Sequence, residues 1–480
     1  MFSLLTEEKS TASKTEPVRT RRDSIAAACT LGLLAVVSFL TVYQLQPPRA
    51  LPSDAPPDQF SAQRALEHLK VIAQKPHPTG SAENQAVRAY LLNQLSSLGL
   101  APQVQVATVV RYEAKWRGPA VAATVYNVVA RLKGTQDSKA VMLAAHYDSV
   151  SSGPGASDDG SGVATLLETA RALKAGKPLA NDVIFLFTDG EELGLLGAQA
   201  FVKHHPWAKD VGVVLNFEAR GACGPVTMFE TSPHNGRLIA EFARDAPHAV
   251  ASSLMYEAYK LLPNDTDLSV FKQAGMPGLN FAYVGCWPRY HTMGDNLENL
   301  SPRSLQHDGS YALALARGFG NMNLTNIAAP DAVYFSLFGK TIEYSQRWVL
   351  VLVAVALLCL AGLVTLGINR GRLGARGLIF GVILWPVAAF ASSLVPEILW
   401  AVLRRTRFVS LLPYGMAYNG ELYALGFMAL AASLFCAMYL WASGKTEVAN
   451  LTAGVLAWWA LLAAVSGILT PGASYVLVWP

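Results

Sequence analysis

Three short apolar runs, at residues 141–145, 183–187 and 211–217, each end just before a histidine or an acid. Runs this short, separated by stretches of helical pattern, predict buried strands of a parallel sheet. In such a sheet the functional crevice lies beyond the carboxyl ends of the strands. His146 follows the first run, Glu191 and Glu192 the second, and Glu218 the third. The pattern therefore aims them at one crevice. Asp158 and Asp159 follow the first strand in a DDGSG stretch, and His291 follows a late strand at 278–284. A further strand is expected at 125–132. Helices are expected at 62–72, 84–98 and 162–175, the last a crossover helix with Ser161 as its N-cap. The fold class is α/β: a mostly parallel-core sheet flanked by helices.

These polar groups are unlike an ordinary hydrophilic rim. Asp158, Glu191, Glu192 and Glu218 would crowd four carboxylates into one pocket, and their repulsion would raise some of their pKa values strongly. Divalent cations remove that difficulty. Two imidazoles with several carboxylates suit zinc. One carboxylate bridging two ions gives the two-metal arrangement, with the ions about 3.5–4 Å apart. Adjacent Glu191 and Glu192 point in different directions, so one can bind metal while the other handles a proton. Each piece alone has a plainer explanation. A lone histidine at a strand end is usually a surface or satisfied core residue. An Asp-Asp-Gly is usually a turn, and a Glu pair is often the acidic first turn of a helix. Their ordered succession after strands is what favours a metal centre. Asp159 and Asp189 read as turn residues, and His204, His205, His234, His248 and His307 as structural. Arg220 and Asp267 lie close enough in sequence to be candidates for touching substrate.

The ordered motifs AHYDS, GASDDGSG, TDGEELGLLGA, NFEARG and YHTMGDN resemble those of metallopeptidase family twenty-eight, the co-catalytic zinc aminopeptidases. The resemblance covers roughly residues 65–320. It implies Asp158 as the ligand bridging two Zn2+ ions. His146 and Glu218 would complete one site, and Glu192 and His291 the other. Glu191 would be the general base, Asp148 would orient His146 through its second ring nitrogen, and Tyr290 would contact the reaction intermediate. PHPTGS at 76–81 and LPNDTD at 262–267 resemble the membrane-embedded branch of that family, the vacuolar membrane protease and endoplasmic reticulum metallopeptidase type.

Composition agrees with two physical environments. Hydrophobic residues make up 52% of the chain and charged residues only 15%, which points to membrane segments rather than a wholly soluble enzyme. The formal net charge is only +4, with no basic patch interleaved with aromatics, so nucleic acid is not an expected partner. The expected order is a cytoplasmic tail (1–24), a transmembrane anchor (25–45), a Pro/Ala/Asp linker (46–59), the peptidase domain (60–341) and a membrane bundle (346–470). The bundle holds four candidate spans, at 348–368, 377–403, 421–443 and 448–469. Residues 471–480 read as the start of a further apolar segment, as in a fragment or a short form. A signal peptide competes with the anchor, but the apolar stretch exceeds a signal core and no small-x-small site follows.

Arg19, Arg21 and Arg22 before the anchor, and Arg370, Arg372 and Arg376 between the first two spans, mark cytoplasmic segments. The peptidase domain then faces the extracytoplasmic side: periplasm, lumen or vacuole. Arg404, Arg405 and Arg407 fall on the outer side and run against this rule. Cys223 and Cys286 can pair in an oxidising compartment, although neither spacing nor motif demands it. The expected function is a membrane-bound zinc aminopeptidase acting on extracytoplasmic peptides. The alternatives are a carboxypeptidase or glutaminyl cyclase on the same scaffold, or a non-enzymatic membrane scaffold or receptor. Residue specificity and oligomeric state are not legible in the sequence.

Overall fold

A computed structural model of the chain describes residues 21–111, 120–136, 138–406, 417 and 419–479. Most of the expected cytoplasmic tail, Arg19 and Arg407 lie outside these residues. By its contacts the chain divides into residues 1–46 and 47–480. The first unit contains one helix, Arg21–Gln44, over the expected anchor. Its described apolar part, Ala28–Gln44, is shorter than the apolar helices of the second unit.

The second unit is built on a seven-stranded sheet. Its strands are β1 (Gln103–Arg111), β2 (Val121–Leu132), β3 (Ala140–His146), β4 (Val183–Thr188), β5 (Val211–Ala219), β6 (Thr227–Thr231) and β7 (Gly278–Tyr283), in the order β1-β2-β4-β3-β5-β7-β6. The inner four are parallel. β1, β2 and β6 are antiparallel to their neighbours. Strands β3, β4 and β5 are buried along their whole length, as expected for a sheet covered on both faces. Side chains alternate between two cores. Val141, Leu143, Val183 and Phe185 pack into one core, and Met142, Ala144, Ile184 and Leu186 into the other. The first core is closed by helices Ala62–Ile72, Gly160–Ala175 and Pro302–Gly320, the second by Leu196–His204 and Asp267–Gln273. β1 was not expected from sequence because its residues are mostly exposed and it has no continuous apolar run.

A hairpin of β8 (Ala332–Leu337) and β9 (Lys340–Ser345) follows. β9 runs past the boundary expected at residue 341 and leads into the membrane bundle. Four segments are long and apolar enough to cross a membrane: Gln346–Asn369, Ala375–Leu403, Gly420–Ser443 and Val448–Leu469. These are the four spans expected. Gly454 packs directly on Gly381, where an added Cβ would stand 2.3 Å from the Gly381 carbonyl carbon. Small residues of this kind let membrane helices approach closely.

Two expectations change on folding. The stretch 46–59 is not a free spacer, because from Pro47 onward arginines fasten its backbone. Arg64 donates to the carbonyls of Ser53 and Ala55 at 2.8 Å and of Gln59 at 2.7 Å. Arg171 donates to Pro57 at 2.7 Å, Arg317 to Asp58 at 2.6 Å, and Arg303 to Pro47. A proline-rich segment cannot join a helix or sheet ladder, so its carbonyls need other donors. Residues 471–479 form a 3-10 turn, Pro471–Ala473, and a short helix, Tyr475–Val478, docked on the hairpin. The Tyr475 ring stacks on Phe335 at 4.7 Å, and Trp479 meets the same ring edge-on.

Candidate metal centre

Strand register delivers the site. His146 ends β3 opposite Thr188 of β4. Asn216 of β5 pairs with Ala144, so Glu218, two residues on, reaches the level of His146. Glu191 and Glu192 follow the end of β4, and His291 lies on the loop after β7. Asp158 arrives on a turn whose shape depends on Gly155. Gly155 has φ +64°, and a Cβ there would lie 2.7 Å from the Asp158 carbonyl oxygen. The crossover helix starts at Gly160, two residues earlier than expected, and its N-cap is Asp159 rather than Ser161. The Asp159 carboxylate accepts from Gly162 N at 3.0 Å, while the Ser161 hydroxyl turns back to the Ser157 carbonyl at 2.8 Å.

The two oxygens of Asp158 divide between the two histidines. Oδ1 lies 3.1 Å from Nε2 of His146, and Oδ2 lies 3.0 Å from Nε2 of His291. Nε2 of His146 is also 3.7 Å from Glu218 Oε2 and 4.0 Å from Glu191 Oε2. Nε2 of His291 is 3.0 Å from Glu192 Oε1. Two half-sites therefore share one carboxylate: His146 with Glu218, and His291 with Glu192. Nδ1 of His146 faces the main-chain carbonyl of Asp148 at 2.9 Å, with the Asp148 carboxylate at 3.6 Å. Donation from Nδ1 to that carbonyl leaves the Nε2 lone pair directed at the cluster. The Asp148 carboxylate accepts from Glu191 N at 3.1 Å and Glu192 N at 3.2 Å, so it orients the glutamate pair as well. The Tyr290 ring stacks on His291 with centroids 3.7 Å apart, and the Arg220 guanidinium lies over Tyr290 at 5.4 Å.

The electrostatics fit a pair of cations. Burial, together with the charges of Glu218 and Glu192 and against that of His146, pushes Glu191 well above the carboxylate range. Burial and Asp158 raise Glu192. Burial, with the charges of Asp158 and Asp267 and against that of His146, pushes Glu218 up to about 8. Burial alone would lower both histidines. Asp148 and Asp158 nevertheless hold His146 well above its ordinary value, and Asp158 and Glu192 push His291 up to about 11. The carboxylates thus favour positive charge at both imidazoles. Two divalent ions would supply it instead and leave both Nε2 atoms as ligands. Ligand atoms of His146, Asp158 and Glu192, and of His146, Asp159 and Glu218, each lie within 4.8 Å of one another. In the second group Asp159 is the weaker candidate, because its oxygens already accept the backbone N–H groups of His146 and Gly162.

A supporting layer was not singled out in the sequence. Asp295 accepts from Ser157 N at 2.7 Å and Asp158 N at 3.1 Å, tying the His291 loop to the Asp158 turn. Its only signal was its place within YHTMGDN. Asn216 donates to Glu218 Oε1 at 3.1 Å. Thr79, in PHPTGS, lies between the carboxylates of Asp148 and Asp189. Asp267 is 1% exposed and accepts from Thr188 at 2.5 Å, so it sits beneath the cluster rather than at the mouth. Arg220 is at the exposed rim. His307 is a satisfied core histidine that accepts from Val226 N at 3.1 Å. Cys223 and Cys286 form a disulfide with Cα atoms 5.4 Å apart, joining the loops that follow Glu218 and precede His291.

A mixed α/β sheet with a parallel core thus gathers two histidines and several carboxylates near its strand ends, a group that could hold metal. Residues 127–316 match the model of peptidase family M28, and this part of the chain is an M28 peptidase domain. The chain is 34% identical to a vacuolar membrane protease of Candida albicans over 274 residues, covering 56% of this chain and 31% of that one. It is 29% identical to endoplasmic reticulum metallopeptidase 1 of Rattus norvegicus over 350 residues, covering 68% of this chain and 38% of that one. The chain thus spans about a third of the length of these relatives. A zinc aminopeptidase from Bacillus subtilis is 18% identical over 58% of this chain and 98% of its own. The TM-score between the two is 0.44.

Proposed function

We propose that this chain is a membrane-bound hydrolase of peptide bonds that holds two zinc ions and removes residues from free amino termini on the extracytoplasmic side. The observation that carries the proposal is the division of the Asp158 oxygens between His146 and His291, at 3.1 Å and 3.0 Å. In it Asp158 bridges, His146 and Glu218 complete one site, and Glu192 and His291 complete the other. Zinc bound there would lower the pKa of a water toward neutrality and polarise a carbonyl. Glu191, beside the cluster but outside both half-sites, accepts the proton of the attacking water and returns it to the leaving amine. Asp148 fixes Glu191 through its backbone N–H and fixes His146 through its own carbonyl. Burial and the charges of Asp158, Glu192 and Glu191 raise the Tyr290 phenol, so it stays protonated and can donate to a developing oxyanion. A free α-amine would lie near the metals and the carboxylates around them, which favours an exopeptidase. The Cys223–Cys286 disulfide supports an oxidising compartment.

Metal counting on protein kept from chelators should give close to two zinc ions per chain. A value near one would favour cyclase-like chemistry, and none would favour a scaffold. Glu191→Gln should retain both ions yet lose turnover by roughly 10²–10⁴-fold, whereas Glu192→Ala should lose metal. Near-normal kcat in Glu191→Gln would reverse the roles within the pair. N-acetylated peptides should resist cleavage while their free counterparts are trimmed. Equal cleavage would remove the aminopeptidase assignment and leave the metal chemistry standing.

A further inference from the structure

A second apolar surface lies outside both the core and the bundle. Helix Ser253–Tyr259 and the turn after it carry Leu254, Met255, Ala258, Leu261 and Leu262. Their spacing of one, four, seven and eight residues places them along one side of a helical path. All are exposed: Leu261 by 86%, Leu262 by 55%, Met255 by 42% and Leu254 by 41%. Scattered surface leucines need no explanation, but a continuous stripe does.

The bundle supplies one. The neighbouring side of the same helix rests on the segment just beyond the last span. The Ser253 hydroxyl donates to the Gly472 carbonyl at 2.6 Å, the Glu257 side chain lies against Gly472, and Ser252 meets the Tyr475 hydroxyl at 2.8 Å. Gly472 is three residues past Leu469, where that span ends. Three residues cover at most about 10 Å, and the headgroup layer of a bilayer is about 5–8 Å deep on each side. The helix therefore stands within about 10 Å of the end of the span, a distance comparable to the depth of the headgroup layer. Lys260 lies beside it, its ammonium paired with the Glu257 carboxylate at 3.0 Å and 4.2 Å from the Tyr256 ring centre. An exposed apolar stripe beside the end of a span is the feature that seats a segment in a membrane interface.

We propose that the stripe Leu254, Met255, Leu261 and Leu262 seats in the headgroup and upper acyl region of the same bilayer that the four spans cross. The segment continues to Asp265, which pairs with Arg111 at 3.9 Å, and to Asp267 beneath the metal centre. Seating the stripe thus also sets the rim of the site at the membrane surface. The proposal rests on the spans and the exposed stripe, not on the peptidase assignment.

The test uses the full chain in phosphatidylcholine nanodiscs. Cys29, Cys359 and Cys436 are changed to serine, the disulfide is kept, and a fluorophore is placed at Leu261→Cys. Lipids with a shallow nitroxide should cut its emission by about half or more, and aqueous iodide should quench it far less. A fluorophore at Lys70→Cys, an exposed helical position, should show the reverse. Leu262→Cys repeats the measurement if the first variant folds poorly. Stronger quenching by iodide than by the lipid nitroxide at both positions would overturn the proposal. So would disulfide-linked dimers through position 261, which would make the covering surface a second copy of the chain.

Discussion

Asp158 owes its position to residues that never reach the reacting atoms. Asp295 holds the backbone N–H groups of Ser157 and Asp158, and Gly155 allows the preceding turn at φ +64°. Asp295→Ala should therefore weaken metal binding by roughly 10–100-fold, the usual cost of losing an outer-shell partner. Competition against a chelator measures this, and turnover should recover at excess zinc. Unchanged metal affinity would show that Asp295 serves the loop alone. Gly155→Ala places a Cβ 2.7 Å from the Asp158 carbonyl oxygen on a backbone that L-residues rarely adopt. It should cost more than about 1 kcal/mol of stability and lower the metal content together with the melting temperature.

Among elements, the disulfide acts on the site most directly. Cys223 comes five residues after Glu218, and Cys286 five residues before His291. The bond thus staples the loop that follows Glu218 to the loop that leads to His291, its cysteines 63 residues apart in sequence. Replacing both cysteines with serine should cost about 2–4 kcal/mol, read as a fall in melting temperature. Zinc should also leave more readily. If melting falls while chelator resistance holds, the staple supports the fold without steadying the ligands. The stretch 47–59, a strap fastened by arginines, makes a similar point. Arg64 and Arg171 both pair with the buried Glu168 while donating to strap carbonyls. Arg64→Ala should expose the 52–59 backbone to proteolysis well before the domain melts. Equal protease resistance in the variant would mean that Arg171 and Arg317 suffice.

For the whole molecule, span order sets the sides. The first span leaves β9, so the second ends and the third begins on the peptidase side, and the fourth returns there. Three contacts fit this order: Ser253 with Gly472, Phe335 with Tyr475, and Trp287 near Gly420. Arg370, Arg372 and Arg376 then stand on the side away from the peptidase domain, which the proposed topology takes as the cytoplasm. Arg404 and Arg405 stand with the peptidase domain, against the rule that basic loops face the cytoplasm. The Arg404 guanidinium lies 5.8 Å from the Trp400 ring centre, an interfacial pairing at the end of the span. Protease added to sealed right-side-out vesicles should reach the catalytic domain, or inverted vesicles if the domain is lumenal. Access only from the cytoplasmic face would overturn the proposed topology.

Local pattern determined much of this protein. Buried strands read as apolar runs, so the parallel core and the ends of β3, β4, β5 and β7 were legible in the sequence, and with them the polar residues that cluster there; Asp148 and Tyr290 were named only through the family resemblance. The four spans were legible for the same reason, since length and apolarity are properties of contiguous residues. Only the tertiary structure decided which atoms meet. The division of the Asp158 carboxylate between His146 and His291, the hold of Asp295 on Asp158 across 137 residues, and the pairing of Cys223 with Cys286 all join distant positions. The docking of the strap by Arg64, Arg171, Arg303 and Arg317 is of the same kind. No periodicity records such contacts, because chain folding brings the partners within bonding distance and spacing along the sequence does not.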